Sequence, residues 1–376
     1  MNKKKHILFL SEYFYPRVAG GEKWSFELLQ MLVKEGYKVT VITSKFESRM
    51  IREVVDGIEI IRIAKTGGLL RRIDFMVKLH SFLIEYLKDN DVDVIHNMAY
   101  LPCIATRLAV KDHSKVKIVT SVHSYFGNKW FLAANPIIAT INWMMEKIVI
   151  KLDKAGTIHV PSSYMLTNIQ KYCKNKSIIV IPNYIDEEEI KMMTKGVDTK
   201  KIRAKIGVDE KERLLVAVGN LYKIKNMGGL INAISGIKDV KLIIIGEGEE
   251  EKRIKKLIER TGLQKRVKLI GKTTRKETLG MIKAADVFVN PSLSESFSYV
   301  VMEAFVLGKK IITTDTGIAN EARKESPDQI RIIKDIYNLN EAIKSFDKIK
   351  ETGKNKHKKE KKEDYIKKFV STVYKS

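Results

Sequence analysis

Two glutamates eight positions apart, Glu295 and Glu303, lie in the stretch Asp286–Asp315, DVFVNPSLSESFSYVVMEAFVLGKKIITTD. A short apolar strand, Val287–Val289, runs into Asn290-Pro291, and a polar loop carrying Glu295 follows. A helix is expected to start near Phe297 or Ser298 and to carry Glu303 about a turn and a half inside. Gly308 ends it, and Lys310–Thr313 reads as the next strand. The loop of such a unit sits at the carboxyl end of a strand, where open α/β sheets bind ligands. The first N–H groups of the helix lack intrahelical partners, and the dipole there favours an anion. The two carboxylates are therefore placed to hold hydroxyls of a ligand whose phosphates rest on the helix start, around Ser298, Tyr299 and Val300. The spacing alone equally fits a solvated helix face.

Other residues with chemical potential also fall at strand ends. Gly20-Gly21 separates the strand His6–Ser11 from an amphipathic helix, Glu22–Glu35. A glycine pair there either makes a plain tight turn or lets the backbone approach a phosphate or sugar closely. His123 closes the strand Lys117–His123, as a hydrogen-bonded structural histidine or as a group facing a cleft. Asn220 and Lys225 follow the strand Leu214–Gly219, where Lys225 is a surface lysine or a phosphate ligand. Gly246-Glu247-Gly248 follows Val240–Ile245, and Lys272-Thr273 follows Val267–Gly271.

The elements that must position these groups alternate strand and helix along the chain. Val240–Ile245 reads as an apolar strand, as in a parallel strand covered on both faces. The pattern predicts an α/β protein of two domains. Residues 1–186 form the first and 187–350 the second, which opens with a polar, lysine-rich stretch, Glu187–Lys211. Residues 351–376 begin as a charge run and then place Tyr365, Phe369, Val370 and Val373 at helical spacing.

A length of 376 residues with 44% hydrophobic and 30% charged residues gives a globular protein with a sizeable core. Cys103 and Cys173 supply no disulfide framework and no metal spacing. The apolar run near the N-terminus is too short for a signal segment, and no spanning helix is expected. The net charge of +24 attracts polyanions. Without zinc spacing or aromatic RNA-binding signatures no nucleic-acid partner is expected; a cytoplasmic enzyme resting on anionic lipid fits the charge better. Asn128–Leu152 is unusually apolar, interrupted by Asn135, Asn142 and Glu146. It reads as a pair of core helices or as a surface helix dipping into a lipid interface beside Lys147, Lys151 and Lys154.

The motif P-S-x-x-E-x-F-x-x-x-x-x-E-A-x-x-x-G around Glu295 and Glu303 resembles the corresponding region of the retaining glycosyltransferases of family four. Further segments resemble that family in the same order: Gly20-Gly21-x-Glu, the strand end at His123, Ile181-Pro182-Asn183-Tyr184-Ile185-Asp186, and Gly219-Asn220-Leu221 leading to Lys225. The resemblance covers roughly residues 6–350. It implies the GT-B fold: two Rossmann-like domains facing across a cleft, the first binding acceptor, the second a nucleotide-sugar donor, with the C-terminal helix crossing back to the first. It implies catalytic roles for His123, Glu295 and Lys225. It implies donor contacts from Gly20, Gly21, Asn220, Lys225, Gly246, Lys272, Thr273, Phe297, Ser298, Tyr299, Val300 and Glu303. It further implies transfer with retention to a glycan or lipid-linked sugar in cell-envelope glycoconjugate synthesis, on the inner face of the membrane, with no metal or other cofactor. The alternative is a catalytically impaired scaffold that binds polyanions or membranes. Asn220 stands where the family has Arg, Asn226 and Tyr184 where it has Gly, and Ser124 where an acidic residue is common.

Overall fold

A computed structural model describes residues 5–17, 19–46, 49–65, 67–110, 116–152, 156–172, 177–209, 211–347 and 360–375. Cys173, Lys154 and most of the charge run before residue 360 lie outside the described residues. The chain divides into two compact units. One comprises residues 1–127, 140–184 and 360–376, and the other residues 128–139 and 185–359.

The first unit is built on β1 (His6–Ser11), β2 (Lys38–Ser44), β3 (Arg52–Val55), β4 (Ile58–Ala64), β5 (Val94–Met98), β6 (Lys117–Ser121), β7 (Thr157–Val160) and β8 (Ile178–Val180). They lie in the order β3-β4-β2-β1-β5-β6-β7-β8, parallel except for the edge strand β3. The second unit contains β9 (Arg213–Val218), β10 (Val240–Ile245), β11 (Val267–Gly271), β12 (Val287–Asn290), β13 (Lys310–Thr314) and β14 (Ile330–Ile333). Their order is β11-β10-β9-β12-β13-β14, all parallel. This is the doubly wound order 3-2-1-4-5-6, and its strand order reverses between β9 and β12. Omitting β3, the first unit follows the same order with β8 as one further strand at its edge, reversing between β1 and β5.

The apolar strands explain the layering. β10 is buried along its whole length because helices cover both faces. Leu242 and Ile244 pack with Leu230, Ile231 and Ile234 on one side, and Ile243 and Ile245 with Ile282, Val301 and Phe305 on the other. Each such side chain contributes about 1.5–3 kcal/mol when fully buried.

Three sequence expectations change. The stretch Glu187–Lys211, read above only as polar and lysine-rich, folds as helices Glu187–Met193 and Thr199–Ile206, whose N-caps Asp186 and Asp198 accept from the backbone N–H groups of Glu189 and Lys201. Gly207 in the left-handed conformation stops the second. Residues 128–139, assigned above to the first domain, group with the second unit, where the Lys129 ammonium donates to the Leu293 carbonyl. The apolar segment is divided between the two readings: in the helix Pro136–Leu152, Ala139, Val149 and Ile150 are buried while Ile137, Ile138, Met144 and Ile148 are exposed. Its Glu146 is buried, and accepts from the backbone N–H groups of Phe126 at 3.0 Å and Gly127 at 2.9 Å. Among the described residues no helix is long and apolar enough to cross a membrane.

Candidate functional site

In the second unit the loops leaving β9 and β12, on either side of the strand-order reversal, bring two predicted groups together. The Lys225 ammonium lies 2.6 Å from Glu295 Oε1. A backbone bond from the Leu293 N–H to the Ile224 carbonyl, 2.8 Å, ties the lysine turn to the glutamate loop. The Ser292 hydroxyl lies 2.7 Å from the same Oε1. No described residue bonds Glu295 Oε2, which leaves that oxygen to a ligand.

The helix beyond the loop runs Tyr299–Val306. Its N-cap Ser298 is left-handed, at φ 74°, and supplies no capping bond from its side chain. The Ser298 hydroxyl is buried with no hydrogen-bond partner among the described residues. A buried polar atom without a partner is costly, so a ligand atom at this helix start is the natural complement. Phe297, expected beside the donor, sends its ring into the core instead, at 2% exposure, edge-on to Tyr299 at 5.1 Å. Only its backbone stays at the loop, where its carbonyl accepts from the Ile318 N–H.

Glycines set how closely these loops approach. A Cβ on Gly246 would stand 2.0 Å from the Gly219 carbonyl oxygen, so the turns after β9 and β10 touch backbone to backbone. Asn226, in the family's glycine position, adopts φ 54°, which asparagine tolerates better than most residues. Asn220 is exposed and its side chain makes no bond to a described residue, so the site has one cation fewer than the family pattern at this turn. Lys272 is exposed and pairs with Glu247 at 3.3 Å, and the Thr273 hydroxyl lies 2.7 Å from that of Thr278. Glu303 is buried at 7% exposure, and its Oε1 lies 3.4 Å from Arg275, which also meets Glu189 at 2.9 Å. Arg275 is the charged group that sequence reasoning missed. Its signal was its place, one residue after the Thr274 N-cap of the helix Arg275–Ala284, at the carboxyl end of β11.

The first unit gathers the other predicted groups. The helix that the glycine pair was expected to precede in fact begins with it, running Gly20–Lys34. A Cβ on Gly21 would meet Met98 at 2.9 Å and the His123 Cβ at 3.8 Å, so the helix start lies against the histidine. Glu22 faces Arg17 at 3.5 Å, and burial raises its carboxyl above the usual range. His123 packs against Trp24 with ring centroids 4.1 Å apart and planes tilted by 35°, and its Nε2 is buried without a partner. Burial, and then the neighbouring imidazoles His159 and His96, hold His123 well below its ordinary pKa, so the ring is neutral.

His159 and His96 belong to a buried relay whose direction can be worked out. The Ile181 carbonyl must accept, so His159 donates from Nε2 at 2.9 Å. Its Nδ1 then accepts from the Ser121 hydroxyl at 2.9 Å. That oxygen accepts from His96 Nε2 at 2.7 Å, and His96 Nδ1 accepts from the Tyr374 hydroxyl at 2.8 Å. Every imidazole in the relay is neutral, in keeping with burial that depresses His96 and brings His159 to about 4.

The sequence model of glycosyl transferases group 1 matches residues 198–367, and that of glycosyltransferase family 4 matches residues 18–189. The phosphatidylinositol N-acetylglucosaminyltransferase GPI3 subunit of Saccharomyces cerevisiae is 24% identical over 324 residues, which is 83% of this chain and 68% of that one. Among solved structures, sucrose-phosphate synthase from Thermosynechococcus elongatus superposes with a TM-score of 0.77 at 18% identity, over 98% of this chain and 95% of that one. HepE of Anabaena, solved with UDP and glucose, superposes with a TM-score of 0.66 at 18% identity, over 98% and 95%. Two matched models that between them take in most of the chain, on two doubly wound parallel sheets, place this protein among the family 4 glycosyltransferases of the GT-B fold.

Proposed function

We propose that the protein moves a sugar from a nucleotide-sugar donor to a glycan or lipid-linked sugar acceptor, with retention at the anomeric carbon and without a metal ion. One observation carries this reading: the Lys225–Glu295 pair stands in the crevice between β9 and β12 beside a helix start whose buried Ser298 hydroxyl is unpartnered. A donor diphosphate would take the N–H groups of that helix start and the lysine. Charge that develops on it as the glycosidic bond breaks would meet preorganised dipoles and a fixed cation. Glu295 Oε2 would accept from a sugar hydroxyl, and Glu303, oriented by Arg275, from the ribose. His123, neutral and lacking a partner at Nε2, would face the donor sugar.

The acceptor side draws on two further features. The yeast relative is named for phosphatidylinositol, a lipid. In the first unit the helix Gly68–Asp89 exposes Leu69, Leu70, Ile73 and Val77 beside Arg71 and Lys78, a face suited to the boundary of an anionic bilayer. On this reading the enzyme works at the inner face of the membrane as a peripheral protein, in assembly of envelope glycoconjugates.

Thermal-shift screening against UDP-, GDP- and ADP-sugars tests the donor site, since a ligand at a hundred times its Kd adds about 2.7 kcal/mol of stability. A shift with one class, followed by nucleotide release that survives EDTA, is expected. No shift with any of the three would sink the donor reading. Binding without turnover would favour the alternative of an impaired scaffold, for which Asn220 is the specific motive. Co-sedimentation with vesicles rich in phosphatidylglycerol, and its loss in Leu70→Glu, checks the lipid contact.

A further inference from the structure

We propose that Trp24 is the positioning residue for His123, and that Tyr365, in the helix Lys362–Phe369, sets the histidine by fixing Trp24. The inference rests on the reading of His123 as the group that meets the donor sugar. Trp24 is fully enclosed, and its ring contacts His123 at 4.1 Å, His159 at 5.3 Å and Phe369 at 5.9 Å. Its indole N–H donates to the Tyr365 hydroxyl at 3.2 Å. That single bond fixes the rotation of the indole in its own plane, which stacking alone does not. His123 lacks a hydrogen bond at Nε2, so no protein group orients the imidazole through that nitrogen, and the indole face is its nearest aromatic support.

The far end of the prop uses a residue that departs from the family resemblance. Tyr365 is completely buried, and the Tyr184 and Tyr365 rings meet at 5.6 Å. Tyr184 stands where the family resemblance expects glycine, and its backbone is not in the left-handed region that would require one. The substitution thus supplies a platform for Tyr365, and Lys362 lies over the same Tyr184 ring at 5.8 Å. The order of support runs from Tyr184 to Tyr365, to Trp24, to His123, all within one compact unit.

The test uses the full chain labelled with nitrogen-15 at histidine, with His123→Ala assigning the His123 resonances. Tyr365→Phe removes the acceptor and keeps the ring. It is expected to move the His123 imidazole resonances and to lower kcat for UDP release from UDP-glucose or UDP-N-acetylglucosamine about threefold to tenfold, with KM for the donor unchanged within twofold. Trp24→Phe is expected to do both more strongly. Tyr374→Phe, which loosens the same segment through His96, controls for a merely structural effect and should leave the His123 resonances and kcat in place. The proposal is overturned if Tyr365→Phe leaves the His123 resonances where they were, if they move without a change in kcat, or if Tyr374→Phe has the same effect as Tyr365→Phe. Should neither UDP-sugar be turned over by the parent protein, the donor reading fails for them, while the resonances still decide whether Tyr365 and Trp24 set the ring.

Discussion

The two units share a strand order yet equip the same edge of the sheet with opposite chemistry. In the second unit the carboxyl ends of the strands carry charges held in pairs: Lys225 with Glu295, Arg275 with Glu303 and Glu189, Lys272 with Glu247. In the first unit neutral rings gather instead: His123 lies just past β6, with His159 and His96 buried in β7 and β5 around Trp24, and one relay directs the protons of His159 and His96. A topology that delivers loops to one edge does not dictate what those loops hold. A charged crevice suits a ligand that brings phosphates. A neutral imidazole such as His123 suits a ligand that brings hydroxyls, without the desolvation cost of an unpaired ion.

The contrast can be broken most sharply at Lys225. Lys225→Ala should lower kcat about 100-fold to 1,000-fold, the usual cost of losing one preorganised stabiliser of developing charge. Steady-state UDP release measures it, and a tenfold effect or less would mean that the lysine is not the principal cation. Glu303→Ala should weaken donor binding about 10-fold to 100-fold, the range for a charge-assisted hydrogen bond, with kcat at saturation less affected; calorimetric titration with the nucleotide reads this directly.

Acid should separate the units. His159 has an ordinary pKa near 6.5 and is held at about 4 in the folded protein by burial. Above pH 6.5 it is neutral folded or unfolded, and its contribution is intact. As pH falls from 6.5 toward 4 the unfolded chain gains a proton that the folded one refuses, and stability is lost. By pH 5 this amounts to about 2 kcal/mol for His159, with His96 and His123 shifted in the same direction. The described residues of the second unit contain no histidine. Urea midpoints at pH 7.5 and pH 5.0, with His159→Phe flattening the difference, check the effect. The smallest expected change is a gain: Asn220→Arg, at an exposed position, should tighten donor binding about threefold to fivefold by restoring one cation, as suits a partly solvated ion pair. No gain would show that Lys225 and the helix start already saturate the diphosphate.

The parts of the fold that were legible in the sequence were those with one dominant physical signal. Five of the six residues of β10 are apolar and all six are buried, the signature of a strand covered on both faces. The edge strand β3 escaped notice because it is only four residues long and half polar: Arg52 and Val54 are exposed, and it is held by its ladder to β4 and by ion pairs such as Glu53 with Arg62 at 2.7 Å. The helices in 187–206 were hidden by a composition rich in lysine and glutamate, although aspartates at 186 and 198, each capping a helix, were a usable mark. At the site, Glu295 and Lys225 could be named because each follows a strong strand. Their ion pair could not, since it depends on β9 and β12 lying side by side although distant in sequence. Arg275 and Trp24 were passed over for a related reason. One reads as an ordinary charge at a helix start and the other as an ordinary apolar side chain, and only contact distances reveal what they touch.

Residues 362–374 carry a consequence for biosynthesis. Tyr365, Phe369 and Val373 are completely buried in the unit that the earliest residues of the chain begin. A ribosome producing roughly 5–20 residues per second makes the whole of the second unit before it supplies them. The first unit must therefore wait with an unfilled aromatic slot around Trp24, while its neighbour can already have folded, and this interval is when the nascent chain is most exposed to chaperones and proteases.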